Sequence, residues 1–151
     1  MGGPLFPVFL DLRGKRCLVV GGGKVGLRRA GKLLAAGAWV RLVAPVLGSS
    51  PPKTSARLTV HRRPFRPSDL KGVRLVFACT NDPRVNAAVV RRSRRLGLWA
   101  NRADARDSDF ILPAVATRRG VMAAFSTLGR SPSLARRLRI EWSRPQRRTK
   151  D

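Results

Sequence analysis

Apolar residues fall in short runs along this chain, each closed by glycine, proline or a polar cluster. Cys17-Leu18-Val19-Val20, Val40-Arg41-Leu42-Val43-Ala44 and Val73–Cys79 are too short for ordinary helices and rich in β-branched residues, so they read as strands. Val73–Cys79 is nearly continuous in apolar character, as expected where both faces of a sheet are covered. Between the first two runs, Ala30, Leu33 and Leu34 repeat at helical spacing, which predicts a helix from about Val25 to Ala36, stopped by Gly37. Asp82 and Pro83 suit the cap and first position of a second helix, ending near Arg95 before Gly97. Arg16–Val20, Trp39–Ala44, Leu58–His61, Val73–Cys79 and Leu98–Ala100 are the expected strands, with one helical turn at Arg66–Leu70. The loop from Gly48 to Lys53 leaves little room for a helix between the second strand and the third.

Strands alternating with helices predict an α/β protein with a Rossmann-type, doubly wound parallel sheet over residues 1–109. After Asp109 the texture changes. Phe110–Val115 and Val121–Ser126 read as two strands joined by Thr117-Arg118-Arg119-Gly120, and Ser131-Pro132 opens an amphipathic helix through Trp142. A hairpin plus one helix is too small to be stable alone. Residues 110–142 are therefore expected to pack on the first domain or, preferably, on a second chain as a dimerisation segment. Residues 143–151 read as a basic, disordered tail.

The candidate chemistry sits where the first strand meets the first helix. Gly21, Gly23 and Gly26 fit G-x-G-x-x-G, the fingerprint of a dinucleotide site. Gly21 suits the tight turn, Gly23 the approach of a pyrophosphate, and Gly26 close packing of helix on strand. The following helix aims its free N–H groups and positive dipole end at the phosphates. Ligands of such sheets bind at the carboxyl ends of the strands. The candidate cofactor residues are thus Gly21, Gly22, Gly23, Lys24, Val25 and Gly26, with Ala44 and Pro45 after the second strand and Thr80 and Asn81 after the fourth. The end of the second strand carries no acid to hold ribose hydroxyls, so the residues themselves leave NAD against NADP open.

Charge narrows the ligand. Lys and Arg number 32 against 8 Asp and Glu, a formal +24, which favours polyanions: nucleic acid, an anionic surface or a polycarboxylate. The arginines are scattered rather than gathered on one arm, which argues against a dedicated nucleic-acid module and fits, for most of them, an arginine-rich composition spread over solvated faces. Cys17 and Cys79 lie inside expected strands and read as free buried thiols of a reducing compartment. His61 stands alone among histidines, and no metal-ligand spacing is present. Phe6-Pro7-Val8-Phe9-Leu10 is too short an apolar run for a signal sequence and no run reaches membrane-spanning length, so a cytoplasmic protein is expected.

The order of motifs adds a resemblance. Leu5–Leu12, the glycine turn, Val43-Ala44-Pro45, Ala78–Asn86, Asn101-Arg102-Ala103-Asp104, Asp109–Ala114 and Ser131–Arg136 together resemble the precorrin-2 dehydrogenase / sirohydrochlorin ferrochelatase family, the N-terminal module of sirohaem synthases. The resemblance covers roughly residues 5–140. It implies NAD-dependent oxidation of precorrin-2 to sirohydrochlorin, Fe²⁺ as a further substrate in members that make sirohaem, and a homodimer. It also implies that Asp104, in the Asn-x-x-Asp element, is catalytic. A positioned carboxylate can take the proton that the tetrapyrrole loses on oxidation, although from its neighbours alone Asp104 reads equally well as a turn residue. Asn101, Arg102 and Arg106 around it, and Ser126 and Thr127 further on, are the candidates for touching the polycarboxylate substrate. The stretch between Asp104 and Asp109 is about one residue shorter than is usual in the family, and Leu128 stands where the family usually has glycine. Relatives commonly continue beyond the position of Asp151 with a helical region, so a reduced, or dehydrogenase-only, enzyme is one expectation beside the bifunctional one. The competing readings are a non-catalytic NAD(H)-binding regulatory module and a basic nucleic-acid-binding protein.

Overall fold

The computed structural model describes residues 5–53, 55–105 and 107–144. The chain forms two compact units, Met1–Phe110 and Ile111–Asp151. The first unit is built from β1 (Arg16–Val20), α1 (Lys24–Ala35), β2 (Trp39–Val43), β3 (Leu58–His61), a 3₁₀ turn (Pro67–Leu70), β4 (Leu75–Ala78), α2 (Pro83–Arg95) and β5 (Trp99–Arg102). Its sheet is parallel throughout, in the order β3-β2-β1-β4-β5. The order reverses direction between β1 and β4, which opens a crevice at their carboxyl ends.

The period-two alternation of each strand divides the core. Cys17, Val19, Val40, Leu42 and Phe77 pack with Leu27, Ala30 and Leu33 of α1 on one face. Leu18, Val20, Val43, Val76 and Ala100 pack with Val89 and Val90 of α2 on the other. Both faces are covered, as the apolar run of the fourth strand requires, although that strand pairs only over Leu75–Ala78. β2 reaches β3 without an intervening helix, as the Gly/Ser/Pro loop leads one to expect. β5 is longer at its carboxyl end than the sequence pattern implies and takes in Asn101 and Arg102. Asn101 and Arg102 pair with Phe77 and Ala78 of β4, and the other edge of the strand is covered as well. Ala100 N donates to Asp109 Oδ2 (2.8 Å), Asp109 N to Ala100 O (3.0 Å) and Arg102 N to Ser108 Oγ (2.9 Å). A returning segment thus satisfies the edge that another chain would otherwise pair with.

One buried ion pair clamps the turn before β4. Asp69, 3 % exposed, accepts from Arg63 Nη1 (2.8 Å) and Nη2 (2.6 Å) and from Arg66 N (2.8 Å). Burial alone would raise its carboxyl pKa, but the Arg63 fork and the Arg66 N–H outweigh burial and hold it below the ordinary range. Arg41 is spent on the same turn, donating from Nη1 to the carbonyls of Asp69 (2.6 Å) and Lys71 (3.3 Å).

The second unit is a hairpin, β6 (Ala114–Arg118) and β7 (Val121–Phe125), followed by α3 (Pro132–Ser143). The expected strand at Phe110–Val115 is shifted toward the turn. Pro113 offers no N–H to a ladder, and Thr117 and Arg118 pair with Met122 and Val121 instead of forming the loop. The turn is the pair Arg119-Gly120, both at positive φ (48° and 77°), the tight form that matches strand twist. Leu128, in the place where glycine was expected, sits at φ 54°, a left-handed conformation that costs a leucine about 1 kcal/mol. Ser131 caps α3, its Oγ accepting from Leu134 N (3.2 Å). Arg118 Nη1 donates to the Arg144 carbonyl (2.8 Å) beyond the helix's last turn, a favourable site for a cation. The basic tail lies outside the described residues from position 145 onward.

Asp69→Asn is expected to lower unfolding free energy by about 2–3 kcal/mol, because the buried partner of Arg63 is lost. The contribution of Asp69 is complete above the ordinary carboxylate range and falls away as pH drops through its depressed native pKa. Urea unfolding between neutral pH and pH 3 is thus expected to show a smaller wild-type-to-variant gap at the acid end.

Candidate functional site

The glycine loop occupies the crevice, and each position is fixed by a different neighbour. Gly21 lies at φ 119°, its N–H donating to Val43 O (2.9 Å), and a Cβ there would strike the Cys79 carbonyl. A Cβ on Gly22 would meet the Val46 carbonyl and the side chains of Ala44 and Leu47. A Cβ on Gly26 would strike the Gly21 carbonyl. Gly23 is the exception: nothing lies within 4 Å of the place its Cβ would take. It is the N-cap of α1, with no side-chain cap and no acid in the first helical turn. Lys24 and Val25 follow it as the first helical residues. The end of α1 therefore presents backbone N–H groups and a positive dipole to an open surface. That is the surface a dinucleotide pyrophosphate fits.

The flanking loops come from β2 and β4. Ala44 is buried and Pro45 exposed. The Ala44–Gly48 segment is tied back by Gly48 N donating to Gly22 O (2.8 Å). After β4, Thr80, next to Asn81, is held by a side chain that sequence reasoning had not singled out. Asn86, fully buried on α2, accepts from Thr80 N (3.0 Å) and Thr80 Oγ1 (2.8 Å) through Oδ1 and donates from Nδ2 to Thr80 O (3.0 Å). Such a satisfied buried network fixes a loop in one conformation. A polar residue on the apolar stripe of α2, four before Val90, was its signal.

Asp104 stands just past β5, at the same carboxyl end of the sheet. Arg102 forks it, Nη2 to Oδ2 at 2.9 Å and Nε to Oδ1 at 3.2 Å. This fork, chiefly, holds the Asp104 carboxyl below the ordinary carboxylate range. The two side chains keep 15 % and 24 % of their surface, so the pair is still reachable from solvent. Asn101 is buried and donates from Nδ2 to the Phe110 carbonyl (2.9 Å), so its amide fastens the returning segment. Arg94 binds Asp107 (2.9 Å) and Asp109 (2.8 Å) on that segment. Arg106 lies outside the described residues.

Arg29 is the other side chain missed from sequence. It stands three residues after Gly26 and four before Leu33, on the buried stripe of α1. Its guanidinium lies 6.0 Å from the centre of the Phe77 ring, and its Nε has no hydrogen-bond partner among the described residues. Burial pulls its pKa down from the usual arginine value. Cys79, close enough to feel its charge, is pushed up to about 11 by burial and stays a thiol at neutral pH. In the second unit, Ser126 Oγ accepts from Leu128 N (3.1 Å), while Thr127 Oγ1 donates to Ser131 O and accepts from Ser131 N, both at 2.9 Å. Among the described residues no three His, Cys, Asp or Glu side chains gather as metal ligands, and no helix is long and apolar enough to cross a membrane.

Comparison with known proteins gives this geometry relatives. A family model described as NAD(P)-binding matches residues 8–114. The chain is 43 % identical over 146 residues to a sirohaem synthase of Methylococcus capsulatus, covering 93 % of this chain and 31 % of that protein. It is 43 % identical over 137 residues to a sirohaem synthase of Chromobacterium violaceum, covering 89 % and 29 %. It thus spans under a third of the length of these curated relatives. Among solved structures, SirC, a precorrin-2 dehydrogenase, is similar with a TM-score of 0.75 and 32 % identity over 92 % of this chain and 70 % of that one.

The glycines separate packing from ligand contact. Gly26→Ala is expected to cost about 2 kcal/mol or more through overpacking. Gly23→Ala is expected to stay within about 1 kcal/mol of wild type, the cost of a poorer helix cap. Thermal melts of the two variants measure the difference.

Proposed function

The chain belongs to the NAD(P)-binding family matched over residues 8–114, and within it we propose that this protein is an NAD-dependent dehydrogenase that oxidises precorrin-2 to sirohydrochlorin. The observation that carries this reading is the placement of the open Gly23 surface and the Asp104 carboxylate at the carboxyl end of one parallel sheet. The 32 % identity to a solved precorrin-2 dehydrogenase supports the choice of substrate.

The glycine cradle fits a dinucleotide, because a Cβ is excluded by backbone at Gly21, Gly22 and Gly26 but not at Gly23. Gly23, Lys24 and Val25 would receive the pyrophosphate at the helix end. Ala44 and Pro45 would border the cofactor on the β2 side, and Thr80 and Asn81 on the β4 side. Bound NAD⁺ supplies the two-electron acceptor. The residues of this chain do the rest: Asp104 takes the proton released as the ring system loses two electrons and two hydrogens, one of them to the cofactor. Arg102 would supply positive charge for the substrate's carboxylates. Asn86 fixes Thr80 in place at the end of β4.

The second unit supports a homodimer. Val121, Met122, Leu138 and Ile140 are all well exposed, and Ala135 is the one residue of α3 buried within the chain. An amphipathic helix and hairpin with this much apolar surface are suited to pairing with a second copy. Fe²⁺ insertion would use sirohydrochlorin as substrate and the same carboxylate as proton acceptor.

Anaerobic incubation with precorrin-2 and NAD⁺ tests the proposal. Sirohydrochlorin and NADH are expected to appear in equal amounts. Asp104→Ala is expected to lower kcat by about 10²–10⁴-fold, the usual contribution of a positioned base, while leaving NAD⁺ affinity unchanged. Gly23→Ala is expected to do the reverse. No turnover by the wild type with NAD⁺ bound would falsify the dehydrogenase reading, full turnover by Asp104→Ala would remove Asp104 from it, and Fe²⁺ added at the end of the reaction tests the second step.

A further inference from the structure

Asp104 is an awkward base as the structure holds it. A carboxylate gripped by a guanidinium fork has a reduced affinity for protons. A general base works best when its proton affinity approaches that of the medium. The fork therefore has to open for Asp104 to act, and the structure shows what could open it. Arg102 has five N–H donors in a planar array. Nη2 and Nε are engaged with Asp104, and Nη2 also points at the Pro83 carbonyl (3.4 Å), while Nη1 has no partner among the described residues. The same side chain lines a cavity of about 580 Å³ along α2, together with Arg91, Arg94, Arg95 and Asp107. Arg94 is committed to Asp107 and Asp109, whereas Arg91 and Arg95 form no ion pair among the described residues. One side of Arg102 thus faces the candidate base, and the other faces a cavity with excess positive charge, suited to carboxylates.

We propose that Arg102 exchanges partners: in the free protein it holds Asp104, and a carboxylate arm of the tetrapyrrole arriving along the α2 cavity takes over the guanidinium, leaving Asp104 free to accept a proton. The inference rests on the reading of Asp104 given above. It makes Arg102 a positioning residue as well as a substrate contact, and it couples capture of a polycarboxylate to activation of the base. The exchange swaps one charge-assisted pair for another, so it requires no net loss of bidentate hydrogen bonding. The main chain of Arg102 does not have to move, because its N–H stays pinned to Ser108 Oγ. The other charged or titratable groups facing the pair are Asp107 of the returning segment, Arg94 of α2 and the Cys79 thiol at the end of β4. They remain in place on either side of the exchange.

The test reads the Asp104 carboxyl directly. Protein labelled with ¹³C at the aspartate carboxyls is titrated by NMR, with Asp104→Asn assigning the signal, in the presence and absence of saturating uroporphyrin, a polycarboxylate tetrapyrrole used as a probe of binding. In the wild type the Asp104 midpoint is expected to rise by about one pH unit when the probe binds, the size of a lost ion pair. In Arg102→Gln the midpoint is expected to start near the ordinary carboxylate value and to move much less. Arg102→Lys, which keeps charge and stem but not the fork, is expected to lie between them and serves if the Gln variant fails to fold. A wild-type midpoint that ignores the bound probe, or an equal rise in the Gln variant, would overturn the exchange. With precorrin-2 and NAD⁺, Arg102→Gln is expected to raise KM about tenfold and to bring the acid limb of kcat/KM up to that of kcat. Loss of the dehydrogenase reading would show as absent turnover in the wild type, whereas loss of the exchange alone would leave turnover intact with the two acid limbs already coincident.

Discussion

The approach of α1 to β1 sets everything else at the carboxyl end of the sheet. The helix can leave the strand within a single tight turn only because Gly26 lets its backbone rest against the Gly21 carbonyl. That contact aims the α1 axis, and with it the uncapped N–H groups, across the crevice between β1 and β4. Gly21 and Gly22 then wedge the turn between Cys79 on one side and the Ala44–Leu47 segment on the other. A dinucleotide surface in this protein is therefore a product of backbone packing, with side chains largely absent from it.

The strands, both major helices and the glycine loop were legible in the sequence because each rests on local information: apolar period, capping residues and glycine spacing. Arg16–Val20, Leu58–His61 and the Asp82 cap needed nothing beyond their neighbours. The first strand of the hairpin starts later than the apolar run because Phe110 is apolar for another reason. Phe110 packs edge-on against Phe77, with ring centres 5.5 Å apart, and belongs to the first unit. Periodicity alone cannot tell a strand from a segment that returns to cover an edge. At the site, Asp104 was singled out only by the resemblance that its Asn-x-x-Asp element carries, whereas Gly23 followed from glycine spacing. The Arg102 fork, the Asn86 clamp and the orphaned Arg29 Nε did not, because each depends on residues far apart in the chain meeting at a particular distance.

The basic composition looks different once partners are assigned. Arg13 and Arg63 each pair with an aspartate, Arg41 and Arg118 with carbonyls, and Arg94 with two aspartates at once. Of the eight acids in the chain, four serve as structural anchors. Asp69 clamps a turn, Asp82 caps a helix, and Asp107 and Asp109 fasten the segment beside β5. Asp104 is forked by Arg102 just past β5, and its side chain still keeps 24 % of its surface.

The segment from Asp104 to Asp109 is tied at both ends, by the Arg102 fork before it and by the Ser108 and Asp109 contacts with the β5 backbone after it. Such a closed loop insulates its anchors from its own length. Residues gained or lost between the ties change how far the loop bows outward, while the anchored carboxylates stay where the strand puts them. Anchors on both sides of a span let its middle vary in length while the register of the strand beside it is kept.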